Sequence, residues 1–422
     1  MTPLPRHLLP LTADVTGGRL RVGGCDVIEL ADRYGTPLFV YDEVHLREHA
    51  REAVAAFGDG ATYASKAFLC RAMARLVAEE GMGIDVSTGG ELHVVLAAGM
   101  PPGRITLHGN NKSVEELGRA LDIGVGRIVV DSFEEIDRIE ELVAKGASQP
   151  RVFLRVTPGV EAHTHEYVMT GQDDTKFGFG LASGAANEAV ARVQSSGAME
   201  LVGIHAHIGS NIFLLSSFEK AIERLAPFVL PLALPELSLG GGLGVAYVEG
   251  EEAPTITEWS GVLRRACAEH GITAKLVVEP GRSIAAAAAL TLYRVGTIKE
   301  LPDIRTYVSV DGGMSDNPRP VLYGSGYEAF LPRATDAERP LLATVVGKHC
   351  ESGDVLVRDA HLPADLVVGD VLATPVTGAY GHSMASNYNK VPRPPVLFVR
   401  DGDVRVVVRR EELDDLLALD GD

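Results

Sequence analysis

The chain has 422 residues, 46% hydrophobic and 23% charged, ordinary proportions for a globular protein and enough apolar material for a large core, which excludes wholesale disorder. At roughly 150 residues per domain, the length predicts about two to three domains. With 39 Lys and Arg against 57 Asp and Glu the net charge is -18, which argues against nucleic acid or an anionic membrane as the main partner, since either calls for a basic face.

Cys25, Cys70, Cys267 and Cys350 are far apart and form no CxxC pair, so no disulfide framework is expected. The N-terminal MTPLPRHLLPLTADVTGG has no apolar run of signal-peptide length. The longest run of small apolar residues, Ile284–Leu292, is too short to span a bilayer. These features predict a cytoplasmic protein.

In chain order, GGRLRVGGCDVIELADRYG (17–35) offers a strand or two. From about residue 60, β-rich runs alternate with helical spacing: 61–65, 83–87, 104–108, 127–131, 151–156, 201–208, 234–239 and 274–279. Among the intervening helical segments, Ser113 precedes Glu116 by three, a capping-box pattern. Glu134–Lys145 and Ile256–His270 are further helices. Eight strand–helix units predict an α/β fold with a parallel (β/α)8 TIM-like barrel; no GxGxxG follows the first strand, which disfavours an open doubly wound sheet. Beyond Glu279 helical spacing fades. The runs 306–310, 341–347, 354–359, 370–375 and 396–408 predict a mainly antiparallel β domain, the last as a hairpin about Asp401-Gly402. The expected domains are a barrel at 36–284 and a β-rich domain built from 1–35 and 285–422. The acidic EELDDLLALDGD end reads as a solvated helix and tail.

Chemistry in such a barrel sits at the C-terminal strand ends. There the sequence places Lys66, Asp85, His108, Arg155, His207, Gly240–Gly242 and Glu279. Lys66 is either a surface lysine or a desolvated amine suited to a Schiff base. The glycines Gly240, Gly241 and Gly242, with Gly281, Arg282 and Ser283 after the eighth strand, are either tight turns or a phosphate nest. Glu279 ends an apolar strand, so it is either a barrel ion pair or a partner for a cofactor ring nitrogen. His207, read beside these, is better as a ring stacked on an aromatic cofactor than as a core histidine. A lysine, a phosphate nest, a carboxylate and a flat neighbour together fit pyridoxal 5′-phosphate. Asp85 and Arg155 read as a supporting ion pair beneath it, and His108 as structural.

YASKA (63–67), HAHIGS (205–210), GGGLG (240–244), EPGRS (279–283), DGGMSDNPRPVLYG (311–324), HCESGDVL (349–356) and GAYGHSMASNYN (378–389) occur in this order. Over about residues 35–400 the chain resembles the fold-type III pyridoxal-phosphate decarboxylases, most of all the branch acting on diaminopimelate. The resemblance implies that Lys66 bonds the cofactor aldehyde, His207 stacks on its ring, Ser210 lies beside its phosphate and Glu279 pairs with its ring nitrogen. Gly242, Arg282 and Tyr380 would contact the cofactor, with Arg282 also near the substrate. Arg319 and Tyr323 would hold the substrate's distal amino-acid end. It further implies a homodimer with shared active sites, Cys350 donating a proton and Glu351 pairing with the distal ammonium in the partner's site. The implied reaction is decarboxylation of meso-2,6-diaminopimelate to L-lysine and CO2.

Each C-terminal residue has a plainer reading: Arg319 as a loop arginine in a surface ion pair, Cys350 as a buried apolar cysteine, Tyr380 as a core tyrosine rather than an exposed ring at a turn. HIGSNI carries Asn211 where the family pattern has Gln, a shorter amide near the phosphate loop. The stretch 157–180 resembles a loop over the active site and is expected to act as a lid. The rivals are a decarboxylase of carboxynorspermidine or of a carrier-bound amino acid, a silent regulatory relative, and a racemase; retention of Lys66, Arg319, Tyr323, Cys350 and Glu351 argues against them.

Overall fold

The computed structural model describes residues 5–160 and 175–421. It divides into two compact units, one of His49–Gly244 and Ala253–Ser283, the other of Met1–Glu48, Val245–Glu252 and Ile284–Asp422. The expected lid falls mostly on 161–174, outside the described residues.

The first unit is a barrel of eight parallel strands: β1 Thr62–Ala64, β2 Gly83–Val86, β3 Ile105–Leu107, β4 Arg127–Val130, β5 Arg151–Thr157, β6 Glu200–His205, β7 Glu236–Ser238 and β8 Lys275–Val277. Each pairs with the next in parallel register. Ala61 bridges Val278 to close the ring, and the Thr62 N–H donates to the Val278 carbonyl at 2.9 Å. The eight expected runs thus become the eight strands, because each is a short apolar segment and the first seven are each followed by a helix of nine residues or more, whereas only the four-residue Arg282–Ala285 follows β8.

The helices start where their caps say. Ser113 and Glu116 form a reciprocal capping box on Val114–Ile123, which ends at left-handed Gly124. Thr255 and Glu258 do the same for Ile256–Glu269, and Ser132 caps Phe133–Ala144. Inside the barrel, Val129, Phe153, Val202 and Val277 form a buried cluster. Gly203 makes room for it: a Cβ there would lie 2.4 Å from the Phe153 ring. At the N-terminal ends, Arg127 grips Glu236 through two bonds of 2.6 and 2.5 Å, and Lys275 adds a third at 3.0 Å. This end is closed by stabilising ion pairs.

The second unit holds a mainly antiparallel sheet in the order 355–362, 341–346, 305–310, 289–301, 38–42, 396–400 and 403–408, with 371–375 also paired to 289–301. Asp401 and Gly402 both have positive φ, 53° and 85°, the geometry a two-residue hairpin of right-handed twist demands. Leu38–Asp42 lies within the span expected for the barrel, yet it pairs with Ala289–Leu301 and Val396–Arg400 in this sheet. Segment 17–35 contributes to a separate three-stranded sheet of Asp14–Thr16, Arg19–Val22 and Cys25–Asp26, then a helix Val27–Tyr34 capped by Asp26. The acidic tail forms only an exposed 3-10 turn, Leu413–Leu417. Among the described residues no helix is long and apolar enough to cross a membrane.

Candidate active site

The C-terminal end of the barrel gathers the ionisable residues expected there. Glu279, two residues past β8, has 10% of its side chain exposed. Ser238, the last residue of β7, donates to its Oε1 at 2.8 Å, and His205, the last of β6, brings Nε2 within 3.2 Å of Oε2. Burial opposes the Glu279 charge, but His205, His108 and these hydrogen bonds hold it well below the usual carboxylate range. Asp85 on β2 is displaced the other way, upward, by burial and by the charge of Glu279. Two carboxyl groups on one floor are thus driven to opposite protonation preferences.

Lys66 follows β1 in a short 3-10 turn, Ser65–Ala67. Its side chain is exposed, so the expectation of a desolvated amine is not met in this structure. Its charge nonetheless depresses the pKa values of His108 and His207, both already lowered by burial. His207 is half-buried and its Nδ1 accepts from the Gly241 N–H at 3.2 Å, which leaves the ring proton on Nε2.

The glycine turn is a tight cradle. A Cβ at Gly241 would sit 2.2 Å from the Glu279 carbonyl oxygen, and one at Gly242 2.2 Å from that of Gly209. Gly240 and Gly242 also have φ of 66° and 105°. Beside the cradle, Arg282 donates to Ser210 Oγ at 2.8 Å. Gly281 packs where a Cβ would meet the Ala64 carbonyl at 2.9 Å. Asn211 adopts φ of 61° next to this turn, a conformation that asparagine tolerates.

Arg155 does not pair with Asp85. Its Nη1 lies 3.5 Å from Asp131 Oδ2, because β5 adjoins β4 and Leu154 is in register with Val130, while β2 lies three strands away. Its guanidinium also stacks 4.1 Å from the Phe177 ring centroid, and Asp131 accepts the Gly178 N–H at 2.7 Å. His108, expected to be merely structural, stands on the same polar floor, 3.6 Å from Asp85 and 3.7 Å from Glu279.

The second unit carries the other expected residues. Arg319 opens the short helix Arg319–Tyr323 and is only 4% exposed, so it is no surface arginine. Its guanidinium lies 4.2 Å from the Tyr247 ring centroid and donates to the Tyr327 hydroxyl. Tyr323 is half-buried. Tyr380 is half-buried too, at φ of 59°. Cys350 and Glu351 are exposed, so the apolar-core reading of Cys350 fails. Asn389 supports their loop: its Oδ1 accepts from the Cys350 N–H at 3.3 Å and meets His349 Nδ1 at 3.1 Å.

Residues 43–286 match the family model for the pyridoxal-dependent decarboxylase, pyridoxal binding domain. A diaminopimelate decarboxylase of Mycobacterium tuberculosis is 47% identical over 96% of this chain and 95% of its own length. One of Bacillus subtilis is 45% identical over 96% and 95%. The chain belongs to the diaminopimelate decarboxylase family of pyridoxal-dependent decarboxylases. A crystal structure of the diaminopimelate decarboxylase from M. jannaschii in co-complex with L-lysine superimposes at TM-score 0.91, with 32% identity and 98% of each chain covered.

The barrel end fits the cofactor of these decarboxylases. The Gly240–Gly242 cradle with Ser210 and Arg282 suits a phosphate, Glu279 a protonated ring nitrogen, and Lys66 the aldehyde carbon. Both oxygens of buried Asp85 make no hydrogen bond among the described residues, as expected on a floor built to face a polar ligand. Five contributors were not read from the sequence: His205, Ser238, Asp131, Tyr327 and Asn389. The first two had a signal, since HAH and SLG place His205 with His207 and Ser238 with Gly240 two apart, on one side of an extended chain.

Proposed function

We propose that this chain decarboxylates meso-2,6-diaminopimelate to L-lysine and CO2 with pyridoxal 5′-phosphate. The observation that carries the reading is Glu279, a buried carboxylate kept ionised by Ser238 and His205 at the barrel end where the family binds its cofactor. When bound, pyridoxal phosphate supplies the electron sink for the pair left behind by CO2. Lys66 would hold the cofactor through its amine, at the position where the substrate amine must also come. Glu279 holds a proton on the ring nitrogen, and Asp85 and Arg155 support that floor. His207 flanks the ring face. Gly240, Gly241, Gly242, Ser210, Gly281 and Arg282 take the phosphate, with Tyr380 also at the cofactor.

Arg319, Tyr323, Arg282, Tyr380 and Glu351 take the rest of the substrate, and the Cys350 thiol supplies the proton to Cα. A precursor without a distal carboxylate would leave the buried Arg319 guanidinium without its anion, a penalty of several kcal/mol by order of magnitude. We further infer a homodimer in which Cys350 and Glu351 serve the partner's site, acting in the cytoplasm; free thiols at all four cysteines support a reducing compartment.

The test is turnover of meso-diaminopimelate by the purified protein with pyridoxal phosphate, following lysine and CO2, beside Lys66→Ala. Stoichiometric lysine from the wild type and none from the variant is the expected result. Bound cofactor without turnover would move the substrate to another amino acid and withdraw the Arg319 and Glu351 roles first.

A further inference from the structure

His108 immediately follows β3, and its residue is 9% exposed. Its Nε2 lies 3.6 Å from Asp85 Oδ1 and 3.7 Å from Glu279 Oε1, and makes no hydrogen bond among the described residues. The ring is held edge-to-face against His205, centroids 5.2 Å apart at 71°. Neither Asp85 oxygen has a hydrogen-bond donor among the described residues, whereas Glu279 has two, Ser238 and His205.

Two carboxylates on one dry floor repel, and the pair relieves this by sharing a proton unless something keeps them distinct. Glu279 can hold a proton on the cofactor ring only while it stays ionised itself. We propose that His108 is a positioning residue for Glu279: its Nε2 edge faces both buried carboxylates, at 3.6 and 3.7 Å, and lets Glu279 keep its negative charge facing the cofactor. This rests on reading Glu279 as the partner of the ring nitrogen. Burial pushes the imidazole pKa down to about 4, against the pull of Glu279, so the group that separates the carboxylates is a neutral donor. Without that donor, Asp85 either repels the Glu279 charge or passes it a proton. An amide at position 85 can do neither.

The experiment is equilibrium binding of pyridoxal phosphate to cofactor-free protein, read by cofactor absorbance, for the wild type, His108→Gln, His108→Leu and the double variant Asp85→Asn/His108→Leu. Unfolding of each cofactor-free protein is recorded alongside. His108→Gln, which keeps an N–H near the same place, is expected to bind within about threefold of the wild type. His108→Leu is expected to bind at least roughly tenfold more weakly, about 1.4 kcal/mol. The double variant is expected to regain most of that loss. Should His108→Leu not fold, His108→Ala takes its place, with the same expected loss and the same recovery in Asp85→Asn/His108→Ala. Wild-type affinity in His108→Leu, or a double variant as weak as His108→Leu, overturns the proposal while leaving the Glu279 assignment in place. Wild-type protein that binds no cofactor overturns both.

Discussion

His205 Nε2 lies 3.1 Å from Glu279 Oε1, while Ser238 Oγ reaches the same oxygen at 2.8 Å. Both donors end neighbouring parallel strands, so their positions are set by barrel register and not by a loop. Replacing Glu279 by Gln removes the charge but keeps the shape. The expected result is a fall in kcat of roughly 10²- to 10³-fold, the usual range for removing one preorganised electrostatic group. Ser238→Ala removes one hydrogen bond to a charged group, worth about 1.5–3 kcal/mol, and is expected to lower kcat by at least tenfold. KM should change little in either, since neither group reaches the substrate. Steady-state kinetics with meso-diaminopimelate decide it: a Glu279→Gln enzyme at the wild-type rate would remove the carboxylate from the mechanism.

Much of this arrangement was legible because a barrel repeats. Once eight apolar runs alternate with helices, the end of each run points to the site, and Lys66, Asp85, His207 and Glu279 follow. What failed was pairing. The partner of Arg155 depends on which strands adjoin, and only the sheet order puts Asp131 opposite it. Ala289–Leu301 was missed for another reason. The alanines at 285–289 that lead into it favour a helix, yet the strand is held by Leu38–Asp42 on one side and Val371–Pro375 on the other, and tertiary pairing overrides propensity. Asn389 was invisible because its role lies 39 residues from the Cys350 amide it supports.

Lys112 is 2% exposed and donates to the Gly109 and Val129 carbonyls at 2.7 and 2.6 Å and to Glu135 at 2.6 Å. Glu135 in turn accepts the Asp131 N–H at 3.2 Å, so the pair buttresses the strand end that holds Arg155. Lys112→Met leaves an uncompensated buried carboxylate and is expected to destabilise the fold by roughly 3–5 kcal/mol. Glu135→Leu in the same chain should recover much of this. Denaturant unfolding of both variants measures it, and a double variant no more stable than Lys112→Met would mean that lost packing, not stranded charge, is the cause.

Asp316 is 1% exposed, accepts from the Tyr293 hydroxyl at 2.5 Å and the Gly313 N–H at 2.8 Å, and titrates at about 7. Burial raises it against those two hydrogen bonds, with Asp354 and Asp311 adding to the rise. Between its ordinary 3.8 and about 7, the folded chain keeps a proton that the unfolded chain has lost. This group therefore contributes stability below that window and loses it as pH rises through it, by roughly 4 kcal/mol in all. Asp316→Asn should be relatively more stable at about pH 8 than at about pH 5. Melting temperatures of both proteins across that range test it, and a gap independent of pH would show that Asp316 does not titrate there.

The proposed shared site has a direct test by mixing. Lys66→Ala and Cys350→Ala should each be nearly inactive. If Cys350 serves the partner's site, a mixed dimer has one site lacking both groups and one site with neither defect. Random exchange then returns about a quarter of wild-type activity. With Cys350 serving its own site instead, each site of the mixed dimer would carry one defect, no site would combine two intact groups, and activity would stay near zero. Recovery on mixing therefore distinguishes the two arrangements without any structure of the dimer.

Cys350 and Glu351 are exposed, so the loop that carries them depends on its polar supports. Asn389 Oδ1 takes the Cys350 N–H, and His349, whose Nε2 lies 2.8 Å from Ser315 Oγ, closes on the same oxygen. Asn389 sits at φ of 51°, where Gly and Asn are at ease and Ala is not. Asn389→Gly therefore removes the amide without straining the backbone, and Asn389→Asp keeps an acceptor oxygen in place. The Gly variant is expected to lose about tenfold or more in kcat, because a proton donor works only when held within reach of its target. The Asp variant should retain most activity. Cofactor affinity should be unchanged in both, since the barrel-end groups are untouched. Equal activity in the Gly variant and the wild type would show that the thiol needs no such support.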